Sequence, residues 1–232
     1  MTPLPLNHAW NLTFKEAQAL QKKLAKEVRH SCPLKKIQLV AGADVSFNRR
    51  SPVLYAGIVV LSYPALSPVE EVWAVQEVNF PYVPGYLSFR EAPAVIAAYH
   101  KLQHHPDVMI LDGQGIAHPR GLGLASHVGL LLNLPTIGCA KSRLVGEHAP
   151  VPPEKGSVVP LSFQERTVGN VIRTRTGVKP VYVSPGHLMD IKNASRLVLA
   201  CCTKYRLPEP TRHAHLLVNR IRKEFQHSHA KV

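Results

Sequence analysis

The sequence predicts an α/β fold: a mixed sheet, an antiparallel meander followed by parallel strands, flanked by helices. Two observations carry that prediction. Residues 37–78 hold three runs rich in Val, Ile and Leu, joined by short turn-forming links, whereas residues 88–139 alternate helical periodicity with short apolar runs. Consecutive strands with short links pair antiparallel, and strands separated by helices pair parallel through crossovers.

The elements follow in order. Phe14, Ala17, Leu20, Leu24 and Val28 recur near helical spacing, so residues 13–29 predict a helix with Thr13 as its N-cap. Ile37–Phe47, Val53–Leu61 and Glu71–Val78 form the meander, with Asn48–Pro52 and Ser62–Pro68 as turns. Ser88–Gln103 is a helix striped by Val95, Ile96, Tyr99 and Leu102, and Ser88-Phe89-Arg90-Glu91 spells a capping box at its start. Val108–Asp112 is a buried strand, Leu122–Leu132 a helix and Thr136–Cys139 a strand. Beyond the loop Pro150–Pro153, strands are expected near Ser157–Leu161, Val168–Thr174 and Val181–Val183. Helices near His187–Tyr205 and Thr211–Phe225 close the chain, the former with Ser184 as cap and Pro185 in its first turn. Gln226–Val232 reads as a polar, flexible tail, and the length suggests one domain over 1–232.

Composition narrows the function. The chain has 232 residues, 28 Lys and Arg against 15 Asp and Glu, and a formal charge of +13. A hydrophobic fraction of 45% excludes a disordered or collagen-like polymer. No apolar run approaches the ~20 residues of a membrane helix, so no membrane partner is expected. Met1–His8 lacks a basic stretch followed by an apolar one, which leaves a cytoplasmic protein as the expectation. Cys32, Cys139, Cys201 and Cys202 show no paired spacing and read as free thiols in a reducing compartment. The basic excess predicts a polyanionic partner, nucleic acid first.

Asp occurs only at positions 44, 107, 112 and 190. Asp44 lies inside an apolar strand, where an unpaired carboxylate is costly unless a cation or hydrogen bonds satisfy it. Asp112 ends a buried strand, the usual place for ligand sites in α/β folds. Gly113, Gly115, Gly121 and Gly123 follow and allow close backbone approach, while His118 and Arg120 add a titratable group and a fork suited to phosphate. Lys141, directly after a strand, can hold a phosphate or orient a nucleophile. The stiff segment Pro81-Tyr82-Val83-Pro84 presents an aromatic ring able to wedge against stacked bases. Glu91 can cap its helix or join Asp44 and Asp112; three acids from separate elements suit Mg²⁺, with Mn²⁺ as a substitute. Zinc is disfavoured, since no paired Cys or His spacing appears and His213 and His215 do not share a helix face.

The blocks Pro81-Tyr82-Val83-Pro84-Gly85-Tyr86-Leu87-Ser88-Phe89-Arg90-Glu91, Asp112-Gly113-Gln114-Gly115-Ile116-Ala117-His118-Pro119-Arg120 and Gly138-Cys139-Ala140-Lys141-Ser142 resemble the signature segments of the endonuclease V family. The resemblance runs from about Phe14 to about His215. It implies a ribonuclease H-like fold and Mg²⁺-dependent cutting of DNA at the second phosphodiester 3′ to deoxyinosine, leaving 3′-hydroxyl and 5′-phosphate ends. By motif position, Asp44, Glu91 and Asp112 match metal-binding carboxylates, and Tyr82 a strand-separating wedge. His118 and Lys141 match residues near the scissile phosphate, and His215 the residue completing the site, with His213 its competitor. The implied base pocket comprises Leu87, Gly113, Gly115, Gly123, Leu124 and Ala140; the implied phosphate contacts are Arg90, Arg120, Lys141 and Ser142. The expected partner is single- or double-stranded DNA carrying deoxyinosine, acted on by a monomer. An inosine-directed ribonuclease and a non-catalytic inosine-binding module are the alternatives.

Overall fold

The computed structural model describes residues 8–31, 36–48 and 51–229. Cys32, the middle of the Asn48–Pro52 turn and residues 230–232 of the expected tail lie outside the described residues. The elements run α1 (Phe14–Ala25), β1 (Leu39–Phe47), β2 (Val53–Ser62), β3 (Pro68–Glu77), α2 (Leu87–Tyr99), β4 (Val108–Leu111), α3 (Leu124–Leu132), β5 (Thr136–Ala140), β6 (Val158–Phe163), β7 (Arg166–Ile172), β8 (Val181–Pro185), α4 (Ile191–Ala200) and α5 (Glu209–His229). One eight-stranded sheet has the order β3-β2-β1-β4-β5-β8-β7-β6. The meander β1–β3 is antiparallel, β1, β4 and β5 are parallel, and β8, β7 and β6 add an antiparallel wing. The mixed α/β architecture is the expected one.

Period-two alternation builds two cores. Val108 and Ile110 of β4 face one side, with Val40, Ile137 and Val183, under Leu197 and Val198 of α4 and Leu217 and Ile221 of α5. Met109 and Leu111 face the other, with Ala41, Ala43 and Ile58, under Val95 of α2 and Val128 of α3. The long helix α5 crosses β1 closely because Gly42 has no side chain: a Cβ there would lie 2.0 Å from the Pro210 carbonyl carbon. Among the described residues no helix is long and apolar enough to cross a membrane.

Four local expectations change. Thr13 caps α1 with a full capping box to Glu16, but the helix stops at Ala25 rather than Arg29. The capping box expected at Ser88 and Glu91 does not form. Helix α2 begins at Leu87 with Tyr86 at the N-cap and no side-chain cap bond, because Gly85, at φ +80°, turns the chain earlier. Ser184 and Pro185, expected to open a helix, end β8; α4 is capped instead by Asp190, whose carboxylate accepts from the Asn193 N–H at 2.8 Å. Helix α5 also continues to His229, so residues 226–229 of the expected tail are helical.

A buried aromatic cluster joins the start of the described chain to α2 and α3. His127 is fully buried; its Nε2 lies 2.8 Å from Nε2 of His8, and its ring packs against Trp10 and Phe89. Its Nδ1 has no partner. Burial first, then the neighbouring His8, pushes the His127 pKa down to about 3, while burial and nearby cations bring His118 and His187 to about 4. An ordinary histidine titrates near 6.5, so on acidification the unfolded chain takes up these protons first. The stabilisation is therefore complete above about pH 6.5 and is lost as pH falls toward 3–4. Thermal unfolding should show Tm falling over that window, and His127→Phe should flatten the fall; a Tm flat from pH 6.5 to 4 would contradict neutral buried histidines.

Candidate active site

The parallel register assembles the site. Ala43 pairs with Leu111 across β1 and β4, and the Asp112 N–H donates to the Ala43 carbonyl at 3.1 Å. One step further along, Asp44, still inside β1, therefore comes level with Asp112, directly after the end of β4. Helix α2 brings Glu91, which is 6% exposed, from the covering layer. The end of β5 brings Lys141, whose ammonium contacts the Asp112 carboxylate. From α5, His215 donates its Nδ1–H to Asp44 Oδ2 at 2.7 Å. Of the two histidines opening α5, His213 turns instead to Glu209, 3.7 Å away, and to Arg212.

The charges couple. Burial, then the Asp44 and Asp112 charges, raises the Glu91 carboxyl well above the usual range. Burial and Asp44 raise Asp112, against the opposing pull of Lys141. Burial opposes the Lys141 charge, but the Asp112 carboxylate wins and the ammonium pKa rises. The bond to Asp44 raises His215. Among the described residues no three His, Cys, Asp or Glu side chains are placed as a group ready to hold a metal ion; Asp44 and Asp112 turn toward His215 and Lys141, which offset their repulsion. Three mutually repelling carboxylates with hard oxygen donors nevertheless suit a hard divalent cation.

A cleft of about 510 Å³ opens over this group. Its walls include Tyr82, Val83 and Pro84, then Leu87, Gly113, Gln114, Ala140 and Ser142, beside Asp44, Glu91, Asp112 and Lys141. Tyr82 is 60% exposed and its ring stands 5.9 Å from Phe47, so the expected wedge projects from the cleft rim.

Other expected site residues stand behind the walls. A Cβ on Gly115 would meet the Pro185 carbonyl oxygen at 2.0 Å, and one on Gly123 the Gln114 carbonyl oxygen at 2.3 Å. These glycines allow close packing of the backbone at the cleft, and Leu124 is a core residue against Gly113. Arg90, expected at a phosphate, is buried; it donates to the Phe80 carbonyl at 2.7 Å and stacks on Phe47. His118, expected near the scissile phosphate, is 4% exposed; Nε2–H donates to the Gly85 carbonyl at 3.0 Å and Nδ1 accepts from the Arg120 N–H. Arg120, the other expected phosphate fork, donates to the same Gly85 carbonyl and to Gln21 Oε1, each at 2.5 Å, and stacks on Tyr86. The bonds from buried His118 and half-buried Arg120 to the Gly85 carbonyl thus tie the wedge loop to the glycine-rich loop.

Two supporting residues escaped sequence reasoning. Buried Gln21 of α1 donates to the Gly85 carbonyl at 3.0 Å, and the Ser184 hydroxyl accepts from the Gly115 N–H at 2.8 Å. Gln21 carried no signal beyond its helix, and Ser184-Pro185 imitated a helix start. If Arg120 holds the wedge loop, Arg120→Ala should speed amide exchange at Tyr86 and Leu87 by about tenfold while β4 stays protected. Equal exchange in both proteins would count against that tie.

The comparisons agree with this geometry. A model of the Endonuclease V family matches residues 19–216. An endonuclease V of Gloeobacter violaceus is 50% identical over 222 residues, covering 94% of this chain and 90% of that protein. The crystal structure of the Streptomyces avermitilis endonuclease V superposes with a TM-score of 0.89 at 43% identity, covering 94% of this chain and 96% of that one. The Ciona intestinalis endonuclease V, solved with a 24mer DNA containing an inosine followed by a ribo-adenosine, superposes with a TM-score of 0.80 at 28% identity, covering 91% and 98%. With the family model spanning most of its length, this chain belongs to the endonuclease V family.

Proposed function

We propose that the chain is a DNA-repair endonuclease that recognises deoxyinosine and hydrolyses the second phosphodiester 3′ to it, leaving 3′-hydroxyl and 5′-phosphate ends. The observation that carries this reading is one cleft lined by Asp44, Glu91, Asp112 and Lys141 and rimmed by the exposed Tyr82. The Ciona relative, bound to DNA containing inosine, supports the same substrate class.

Asp44, Glu91 and Asp112 would hold Mg²⁺, or Mn²⁺ in its place, and when bound the cation supplies charge stabilisation at the phosphate and a more acidic water. The chain's own groups do the rest. Lys141, its side chain 39% exposed, presents a cation beside Asp112 to an incoming phosphodiester. His215, fixed through Nδ1 by Asp44, keeps that carboxylate oriented in the cleft. Tyr82 enters the stack at the lesion, and the displaced base is received against Leu87, Gly113 and Ala140. Rejection of guanine follows if its 2-amino group finds no acceptor there. The basic surface tracks backbone phosphates, so affinity falls with salt.

The test is a Mg²⁺-dependent nicking assay on sequence-matched deoxyinosine DNA, inosine RNA and unmodified DNA. The reading predicts a single nick in the deoxyinosine strand at the second phosphodiester. Faster cutting of RNA would transfer the activity to a ribonuclease, and binding without cutting would leave a recognition module. Asp112→Ala should lower nicking by about a hundredfold or more while lesion binding persists; undiminished nicking would remove Asp112 from the catalytic group.

A further inference from the structure

Lys141 leaves β5 on a segment that is exposed from Lys141 to Leu144, yet its ammonium rests on Asp112. Two side chains from distant parts of the chain grip this segment by consecutive carbonyls. Gln114, from the glycine-rich loop after β4, donates Nε2–H to the Ser142 carbonyl at 3.0 Å. Arg206, from the loop between α4 and α5, donates Nη2–H to the Lys141 carbonyl at 2.7 Å and to the Pro180 carbonyl at 2.8 Å. Arg206 is itself anchored, since its own carbonyl accepts from the Thr174 hydroxyl at 2.6 Å.

The grip has a cost. Only the amide nitrogen of Gln114 can serve a carbonyl, which fixes its orientation and leaves Oε1 buried without a partner. Arg206 Nε is buried and unpartnered as well. Native chains leave few such atoms, and each calls for an explanation.

We propose that Gln114 and Arg206 are positioning residues for Lys141: by holding the Lys141 and Ser142 carbonyls they keep the ammonium on the Asp112 carboxylate at the cleft. The inference rests on the reading of that cleft as a phosphodiesterase site. It gives Gln114 a task that its place in the motif did not announce, and Arg206 one from outside every motif.

The test uses the full chain and the variants Gln114→Met, Arg206→Ala and Lys141→Met, with the first two also combined with Lys141→Met. Gln114→Met keeps the side chain's length and removes only its donor. Single-turnover cleavage of deoxyinosine DNA should slow by roughly tenfold to a hundredfold in each positioning variant, with lesion affinity unchanged. On the Lys141→Met background the further loss should vanish, because both residues act through Lys141. In the metal-free protein, acylation of the Lys141 amine, read by peptide mass spectrometry, should accelerate in both variants while Lys101 labels as before. Gln114→Met keeps the test valid if Arg206→Ala folds poorly. Full additivity with Lys141→Met, or unchanged Lys141 labelling, would overturn the inference. If Lys141→Met alone destroys cleavage while both positioning variants cleave normally, the inference falls and the phosphodiesterase reading stands. If Lys141→Met cleaves normally, the role given to Lys141 falls and the inference with it.

Discussion

Carboxylates crowded into a partly buried cleft repel one another and lose hydration, so they persist only where cations or donors face them. That constraint organises this molecule. The register of β1 against β4 brings Asp44 and Asp112 level, and α2 adds Glu91 from the layer above. Each of the two aspartates is answered by one group: Lys141 at Asp112, His215 at Asp44. The answers arrive from opposite sides, one at the end of β5 and one on α5. The second depends on Gly42, whose bare backbone lets α5 lie close across β1. Glu91 is left to burial first and then to the charges of Asp44 and Asp112, and its carboxyl rises accordingly.

Around this group the loops are fixed by backbone capture rather than by further charge pairs. One carbonyl, that of Gly85, collects donors from Gln21, His118 and Arg120. Gly115 is held by Ser184, and the Lys141–Ser142 segment by Gln114 and Arg206. A rim bearing an exposed aromatic ring is thereby attached to a sheet edge bearing the acids. Such preorganisation is what a site needs if its groups must meet a long, flexible substrate without rearranging.

Much of this was legible in the sequence. The alternating apolar runs predicted the meander and the parallel strands, because both depend on local periodicity and link length. Asp44 and Asp112 stood out as acids inside apolar strands, and the conflict between those residues and their surroundings was the signal. Glu91 was ambiguous, since Ser88-Phe89-Arg90-Glu91 fits a capping box; the turn at Gly85 starts the helix earlier and frees the carboxylate for the cleft. Arg90, Arg120 and His118 share a tertiary role that their place in the motifs did not announce. A basic side chain near a motif reads as a phosphate ligand, whereas in the structure each of these three donates to a backbone carbonyl, Arg90 and His118 from buried positions and Arg120 from a half-buried one. Ser184 was missed because a Ser-Pro pair looks the same whether it opens a helix or ends a strand. Tertiary partners far apart in the chain, 65 residues for Lys141 and Arg206 and 171 for Asp44 and His215, leave no local trace.

The central claim is that Asp44, Glu91 and Asp112 form one cation-binding group. Its most direct measurement is the anomalous scattering of crystals soaked in Mn²⁺. The account predicts density in the cleft within reach of all three carboxylates, and its loss in Asp112→Ala. Saturating Mn²⁺ with no density in the cleft, or density only at another site such as the His8–His127 pair, would contradict it.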